Sequence, residues 1–327
     1  MHCIPAILHP TTIALVDDDQ NLLDALSLML SDQYKLKTFP FAKAAKKALL
    51  KHKKSAVTPK KYYTEGEGSF ENYSISIQFK AFLEVLLNSK RFTNVCILIV
   101  DFDMPDLNGL ELAKILKAKM PIKVIMLTGV ADLDTAINAF NQKEIDRFVL
   151  KSDPNHPQIL QEYIQQLQQE YFSEHYQAVA DALNKDGKHP LCDTAFIAAF
   201  QSICNKHQIV EYYLLNESGS FLMLDAQGQQ TYLIVNTATD LETYSELAED
   251  DEQASRELKN KLQNHSHVVF VPNMTDFTPY VNAWQLFEAT QIKNKPIFYA
   301  VIPHNAIKIN LDFSKIMTFY DFLMGPM

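Results

Sequence analysis

The sequence predicts two domains. The first is an α/β domain with a doubly wound, five-stranded parallel sheet; the second is a smaller α+β domain built on one antiparallel sheet. Three observations predict them. Five short apolar runs occur before residue 152, each closing on a polar residue and alternating with stretches of helical period. From Pro190 the text changes to short strands separated by turn signals. At 327 residues the chain is long enough for two cores.

Residues 12–16 (TIALV) read as the first strand and end on Asp17-Asp18-Asp19. Residues 21–30 carry apolar positions 22, 23, 26, 29 and 30, a helical spacing. Residues 34–39 (YKLKTF) alternate as a second strand, and residues 42–50 read as a basic helix. Residues 51–73 are polar, with Pro59, Gly66 and Gly68, and read as a mobile loop; residues 75–87 read as an extra helix. The rhythm returns at 95–100, an apolar run with the β-branched content of a strand buried on both faces, closing on Asp101. A turn at 103–106 and Asn108-Gly109 lead into a helix over 110–119. Residues 122–127 are strand four, ending on Thr128-Gly129, with a helix over 133–141 behind it. Residues 146–150 are strand five, ending on Lys151. Such βα units with buried strands specify a doubly wound sheet.

The longest helical pattern follows, over 154–183, stopped by Lys185-Asp186-Gly187. It suits domain packing or a dimer seam. Beyond it, 194–204 reads as a helix, and 209–215, 220–224 and 231–235 as a meander. Residues 241–264 read as one charged helix, acidic first and basic later, an order that suits the helix dipole. Two more strands, 267–271 and 297–302, flank a helix containing Trp284, itself a core candidate.

Composition sets outer limits. Apolar residues make up 47% and charged residues 21%, with a formal net charge of −9, an ordinary globular balance that disfavours a general nucleic-acid binder. No run approaches the ~20 apolar residues of a membrane span. Residues 1–12 lack the features of a signal peptide. The four cysteines, Cys3, Cys96, Cys192 and Cys204, show no metal-type spacing, and most of them are expected to be reduced packing residues in a cytoplasmic protein. Eight glycines disfavour a Gly-rich phosphate loop. The lysines at 43, 46, 47, 51, 53, 54, 60 and 61 read as a solvated face rather than an anion site. His265, His267 and His304 read as surface or core histidines rather than metal ligands.

The strand ends carry the chemistry. In a parallel sheet Asp17, Asp18, Asp101, Thr128 and Lys151 would sit side by side at the carboxyl edge, where open α/β sheets keep their sites. Crowded carboxylates repel and raise at least one pKa. A divalent cation such as Mg²⁺ removes that conflict. Carboxylates, a metal, a lysine and a hydroxyl are what phosphoryl transfer needs, and a carboxylate can itself be the nucleophile. An acidic triplet after a strand is, taken alone, a solvated turn or helix cap. The meaning lies in the set and its order.

LVDDD, IVDFDMPDLNGLEL, IMLTG and FVLKS, in that order, resemble the motifs of the receiver domain of two-component response regulators over residues 11 to about 170. The resemblance implies a flavodoxin-like fold with Asp101 as phosphoacceptor. It implies Mg²⁺ held by Asp17, Asp18, Asp101 and the backbone carbonyl of Asp103. Thr128 would bond a phosphoryl oxygen, Lys151 would pair with the phosphate, and Phe148 occupies the aromatic switch position without a tyrosine's hydroxyl. Two features depart from the pattern. Ser152 stands where the family usually has proline, and Asp18 and Asp101 are 83 residues apart, a longer spacing than usual.

The implied organisation is a receiver over 11–153 with an insert at about 51–92, a long last helix and linker over 154–187, and an output domain over 188–327. From Pro190 there are 8 Lys/Arg against 16 Asp/Glu, poor electrostatics for DNA, and no basic recognition helix. The output text EYYLLNESGSFLMLDAQGQQTYLIV resembles a domain attached to receivers in some proteobacterial regulators, among them the Lqs type of Legionella α-hydroxyketone quorum sensing. The resemblance implies a histidine kinase or phosphotransfer protein as partner, a homodimer on phosphorylation, and no enzyme activity beyond self-catalysed phosphotransfer and dephosphorylation. The alternatives are an output domain that binds a nucleotide or small ligand or is an enzyme, and, behind it, a DNA-binding transcription factor.

Overall fold

The computed structural model describes residues 3–52, 62–65, 75–129, 132–252, 254–271, 284–307 and 312–325. In chain order the first half runs β1 (Ile7–Leu8), β2 (Thr12–Val16), α1 (Gln20–Leu30), β3 (Lys35–Phe39), α2 (Ala42–His52), β4 (Tyr63–Glu65), β5 (Ile75–Ile77), α3 (Phe79–Leu87), β6 (Val95–Asp101), α4 (Gly109–Lys117), β7 (Lys123–Thr128), α5 (Leu133–Asn141), β8 (Arg147–Leu150) and α6 (His156–His175). The second half runs α7 (Gln177–Leu183), α8 (Thr194–Lys206), β9 (Ile209–Leu214), β10 (Phe221–Asp225), β11 (Gln230–Thr237), α9 (Ala238–Asp250), α10 (Arg256–Gln263), β12 (His267–Phe270), β13 (Gln285–Glu288), β14 (Thr290–Gln291), β15 (Ile297–Pro303) and α11 (Phe319–Met324).

Internal contacts divide the chain into two units. A parallel unit comprises Pro10–Thr58, Lys90–Glu174 and Asp321–Met327; an antiparallel unit comprises Met1–His9, Pro59–Ser89 and His175–Tyr320. The division differs from cuts at residues 153 and 187. Residues 59–89 of the insert and those before 10 go with the antiparallel unit, and 321–327 with the parallel one.

The parallel sheet has the order β3-β2-β6-β7-β8, each pair parallel. All seven residues of β6 are buried, as its unbroken apolar run requires of a central strand. Ala14, Val16, Leu98, Val100, Val124 and Met126 of the central strands share one core with Ala45 and Leu49 of α2 and Leu112 and Leu116 of α4. Each fully buried Leu or Val there stabilises by roughly 2 kcal/mol. Chain order reverses between β2 and β6, so the crevice past their carboxyl ends is the sheet's switch point.

Among the described residues the antiparallel unit holds a six-stranded sheet of order β1-β9-β10-β11-β15-β14 and two two-stranded sheets, β12–β13 and β4–β5. Phe200 of α8 packs its ring against Tyr212 of β9 (5.0 Å) and Phe221 of β10 (5.1 Å). The β10–β11 turn needs Gly228, whose φ is 81°, and the Asp225 carboxylate accepts from the Gln227 and Gln229 amides to hold it. Tyr62 of the insert is buried against Phe82 and Tyr176 (ring centroids 5.3 and 5.1 Å).

Several expectations are corrected. Trp284 is buried against Tyr244 and leads into β13, a strand paired with β12 where a helix is expected; positions 272–283 of that expected helix lie outside the described residues. Cross-strand pairing outside the local sequence overrides a short stretch's own period. The expected antiparallel sheet is present; β1 joins it from outside the stretch expected to build it, and β12–β13 and β4–β5 pair separately beside it. The charged stretch 241–264 is two helices, α10 starting afresh where Ser255 accepts from the Leu258 amide. The pattern 154–183 is α6 and α7, parted at Tyr176. Residues 75–77 are strand rather than helix. The expected loop at 51–73 holds β4; its positions 53–61 and 66–73 lie outside the described residues. Cys3 and Cys192 form a disulfide, against the expectation of reduced cysteines; Cys96 and Cys204 are free.

Candidate functional site

Each polar strand-end residue is fixed by its place in the ladder. Asp101 and Thr128 are the last residues of β6 and β7, and Asp17 and Lys151 stand one residue past β2 and β8. The Lys151 amide donates to the Thr128 carbonyl (3.0 Å) and the Phe102 amide to the Leu127 carbonyl (3.0 Å), so the ladder continues into the site. The acidic triplet divides its work. Asp19 caps α1 by accepting from the Asn21 and Leu22 amides. Asp17, 1% exposed, accepts from the Asp19 amide (2.9 Å), while Asp18 is exposed.

One ligand atom from each of Asp17, Asp18 and Asp101 lies within 4.8 Å of the others. Lys151 Nζ sits 2.9 Å from Asp17 Oδ2 and 2.8 Å from Asp101 Oδ1. Burial pushes the Asp101 carboxyl above its ordinary range, and the Asp17 charge adds to this; Lys151 opposes both. Burial works against the Lys151 charge, but its two carboxylate partners outweigh that and hold its pKa up. Three carboxylates and one ammonium leave two negative charges, the charge of one divalent cation. An all-oxygen, anionic donor set suits a hard cation such as Mg²⁺.

Thr128 is fully buried, its hydroxyl donating to the Gly129 carbonyl (3.1 Å). Phe148 is half-buried, edge-on to the exposed Phe140 (6.3 Å). Asp103 is exposed in the loop after β6. Among the described residues His265, His267 and His304 join no metal-type cluster; His265 meets Phe298, His267 meets Ser266 and His304 meets Tyr232.

Two residues of this loop were not singled out for such roles by sequence reasoning. A Cβ on Gly109 would lie 1.9 Å from the Asp101 carbonyl oxygen, so only glycine lets α4 start this close to the acidic strand end. Asp106 accepts from the Ala42 (3.1 Å) and Lys43 (2.9 Å) amides and so caps α2 from 64 and 63 residues away. The motif DLNG contained the glycine; nothing local revealed the cap's client.

Residues 69–168 match the family described as the response regulator receiver domain. The chain carries a response regulator receiver domain. The match begins after β2, and the fold returns Asp17 and Asp18 to the receiver from outside the matched segment. Among solved structures, the Legionella pneumophila response regulator LqsR is similar along the whole chain: 27% identity, TM-score 0.80, covering 99% of this chain and 97% of that one. The DNA-binding transcriptional regulator NtrC of Proteus hauseri is 45% identical over 51 residues, 15% of this chain. The chain thus spans about a tenth of that curated relative's length (11%). Among the described residues no helix is long and apolar enough to cross a membrane.

Proposed function

We propose that this protein is a phosphoaspartate switch of a two-component pathway, accepting a phosphoryl group from a histidine kinase or phosphotransfer protein on Asp101. The carrying observation is the carboxylate trio bridged by Lys151 at 2.8 and 2.9 Å at the switch point of the sheet. Asp17, Asp18 and Asp101 would hold Mg²⁺, with the Asp103 carbonyl as a further ligand; the ion supplies charge neutralisation for the phosphoryl oxygens. A carboxylate oxygen of Asp101 attacks phosphorus, the P–N bond to the donor imidazole breaks, and its electron pair returns to the imidazole nitrogen. Lys151 then bonds the new phosphate, Thr128 turns its hydroxyl to a phosphoryl oxygen, and Phe148 follows into the space vacated. Water later cleaves the acyl phosphate, so the chemistry needs no enzyme activity beyond this self-catalysed cycle.

The signal leaves through dimerisation or the antiparallel unit, in the cytoplasm. The likeness to LqsR along the whole chain supports a role in quorum sensing. A second reading adds a small polar ligand, a nucleotide included, to the antiparallel unit, or an enzymatic activity there. Two buried polar atoms, Tyr232 Oη and Asn236 Nδ2, have no hydrogen-bond partner and favour it. DNA binding draws no support from the 8 Lys/Arg against 16 Asp/Glu beyond Pro190.

The test is phosphate uptake from acetyl phosphate with Mg²⁺, read by intact mass and light scattering. The wild type is expected to take one phosphate and double its scattering mass, and Asp101→Asn to do neither. Uptake by Asp101→Asn, or none by the wild type, removes Asp101 as acceptor. Uptake without a mass change passes the signal to the antiparallel unit, where thermal shift with nucleotides follows.

A further inference from the structure

Cys3 and Cys192 join across 189 positions of sequence, in a chain read above as cytoplasmic, where thiols are kept reduced. The two ends of this bond are held very differently. Cys192 closes a tight turn: its amide donates to the His189 carbonyl (3.0 Å), the Leu191 amide donates to His189 Nδ1 (3.2 Å), and His189 Nε2 lies 2.6 Å from the Glu217 carbonyl oxygen. Cys192 directly precedes Asp193, the N-cap of the thirteen-residue α8. Cys3 is half-buried and belongs to a segment with few ties. That segment has one amide bond from Ile4 to the Leu191 carbonyl, one from Leu214 to the Ala6 carbonyl, and the two-residue strand β1 on the edge of β9. Ile4, Ala6 and Ile7 are buried by this docking.

We propose that Cys3 and Cys192 form a reversible thiol–disulfide site that fastens residues 3–8 to the edge of the antiparallel sheet and, when reduced by a cellular dithiol, releases them from β9. The inference is independent of the phosphoacceptor reading. The reductant's thiolate attacks the more open Cys3 sulfur, the Cys3–Cys192 bond breaks, and Cys192 leaves as thiolate and takes a proton. The helix N-terminus beside Cys192 favours that leaving group, and Lys295, 2.7 Å from Asp193 Oδ2, offsets the neighbouring carboxylate. The reductant's second thiol then attacks the mixed disulfide, Cys3 leaves and is protonated, and the dithiol departs as a disulfide. Two electrons and two protons pass to the protein. Cys96 and Cys204 do not compete, because burial pushes both thiols up to about 12 and leaves them unreactive. With the bond open, only the two-residue edge strand and the two amide bonds before it, at Ile4 and Ala6, hold the segment, and its release leaves β9 an unpaired edge able to accept another strand.

The experiment uses the full chain purified without reductant. Alkylation after unfolding without reductant should label two cysteines, Cys96 and Cys204, and after native treatment with dithiothreitol all four. Amide exchange of residues 4–8 and of β9 should accelerate at least tenfold on native reduction and return on reoxidation with oxidised glutathione, while β11 stays unchanged. Cys3→Ser should show the fast exchange with or without dithiothreitol. Four labelled cysteines before reduction, a bond that survives native dithiothreitol, or equal exchange in both states each overturns the proposal.

Discussion

In the parallel sheet the polar groups of the site stand at strand ends or within two residues past them; in the antiparallel unit buried polar groups stand within or beside the strands. Asp17, Asp101, Thr128 and Lys151 belong to the first kind and meet in one crevice. Glu211, Ser220 and Asn236, all 0% exposed, belong to the second. Glu211 accepts from the Tyr213 hydroxyl (2.7 Å), Ser220 Oγ accepts from the Val235 amide (2.9 Å), and Asn236 Oδ1 accepts from the Val269 amide (2.7 Å), tying β11 to β12. Polar groups at strand ends are free to do chemistry. Polar groups inside a sheet are committed to holding it, because an unsatisfied buried group costs about 1–3 kcal/mol.

Substitutions can sharpen this contrast. The largest structural effect is expected from Gly109→Ala. Its Cβ meets backbone 1.9 Å away, so the Asp101 strand end must shift, at a cost of about 3 kcal/mol in a denaturation curve and with loss of phosphate uptake. Asn236→Ala should cost about 2 kcal/mol, leaving the Val269 amide buried without its acceptor, yet leave phosphate uptake intact. Loss of uptake in Asn236→Ala would blur the line between the two kinds of polar group. The smallest effect is expected from Asp106→Ala, about 1 kcal/mol for a lost cap. Burial pushes the Asp106 carboxyl up, but amide bonds from Lys43 and Ala42 outweigh it and hold its pKa below the ordinary range. Its contribution is therefore full at neutral pH and lost as pH falls through that lowered value, so wild type and variant should converge in acid.

The same contrast explains what could be read from sequence. A strand-end residue announces itself, because an apolar run stops on it; TIALV before Asp17 and VCILIV before Asp101 are such stops. The order of these stops was enough to assemble a site from positions as far apart as 17 and 151. Asp106 escaped because its client amides lie more than sixty residues earlier. The antiparallel unit was less legible for the same reason. β1 is two residues long, and β13 is specified by its partner β12 rather than by its own period. Neither Cys3 nor Cys192 has a neighbour in sequence that would reveal the other.

The division of the chain into units has a consequence for how the molecule is made. The chain passes between them five times, at residues 9, 58, 89, 174 and 320. Neither unit is one contiguous stretch. On the ribosome, the parallel unit is still incomplete when its fifth strand emerges. Lys35 must wait for the carbonyls of Leu323 and Gly325, which it bonds at 3.2 and 3.1 Å, and Phe92 for the ring of Phe322 at 5.3 Å. Folding of both units is thus expected to finish together, once residues 321–327 have emerged, rather than one bead at a time. The same interleaving makes the pair a poor subject for recombination, since a crossover between residues 10 and 320 leaves each fragment with part of two cores.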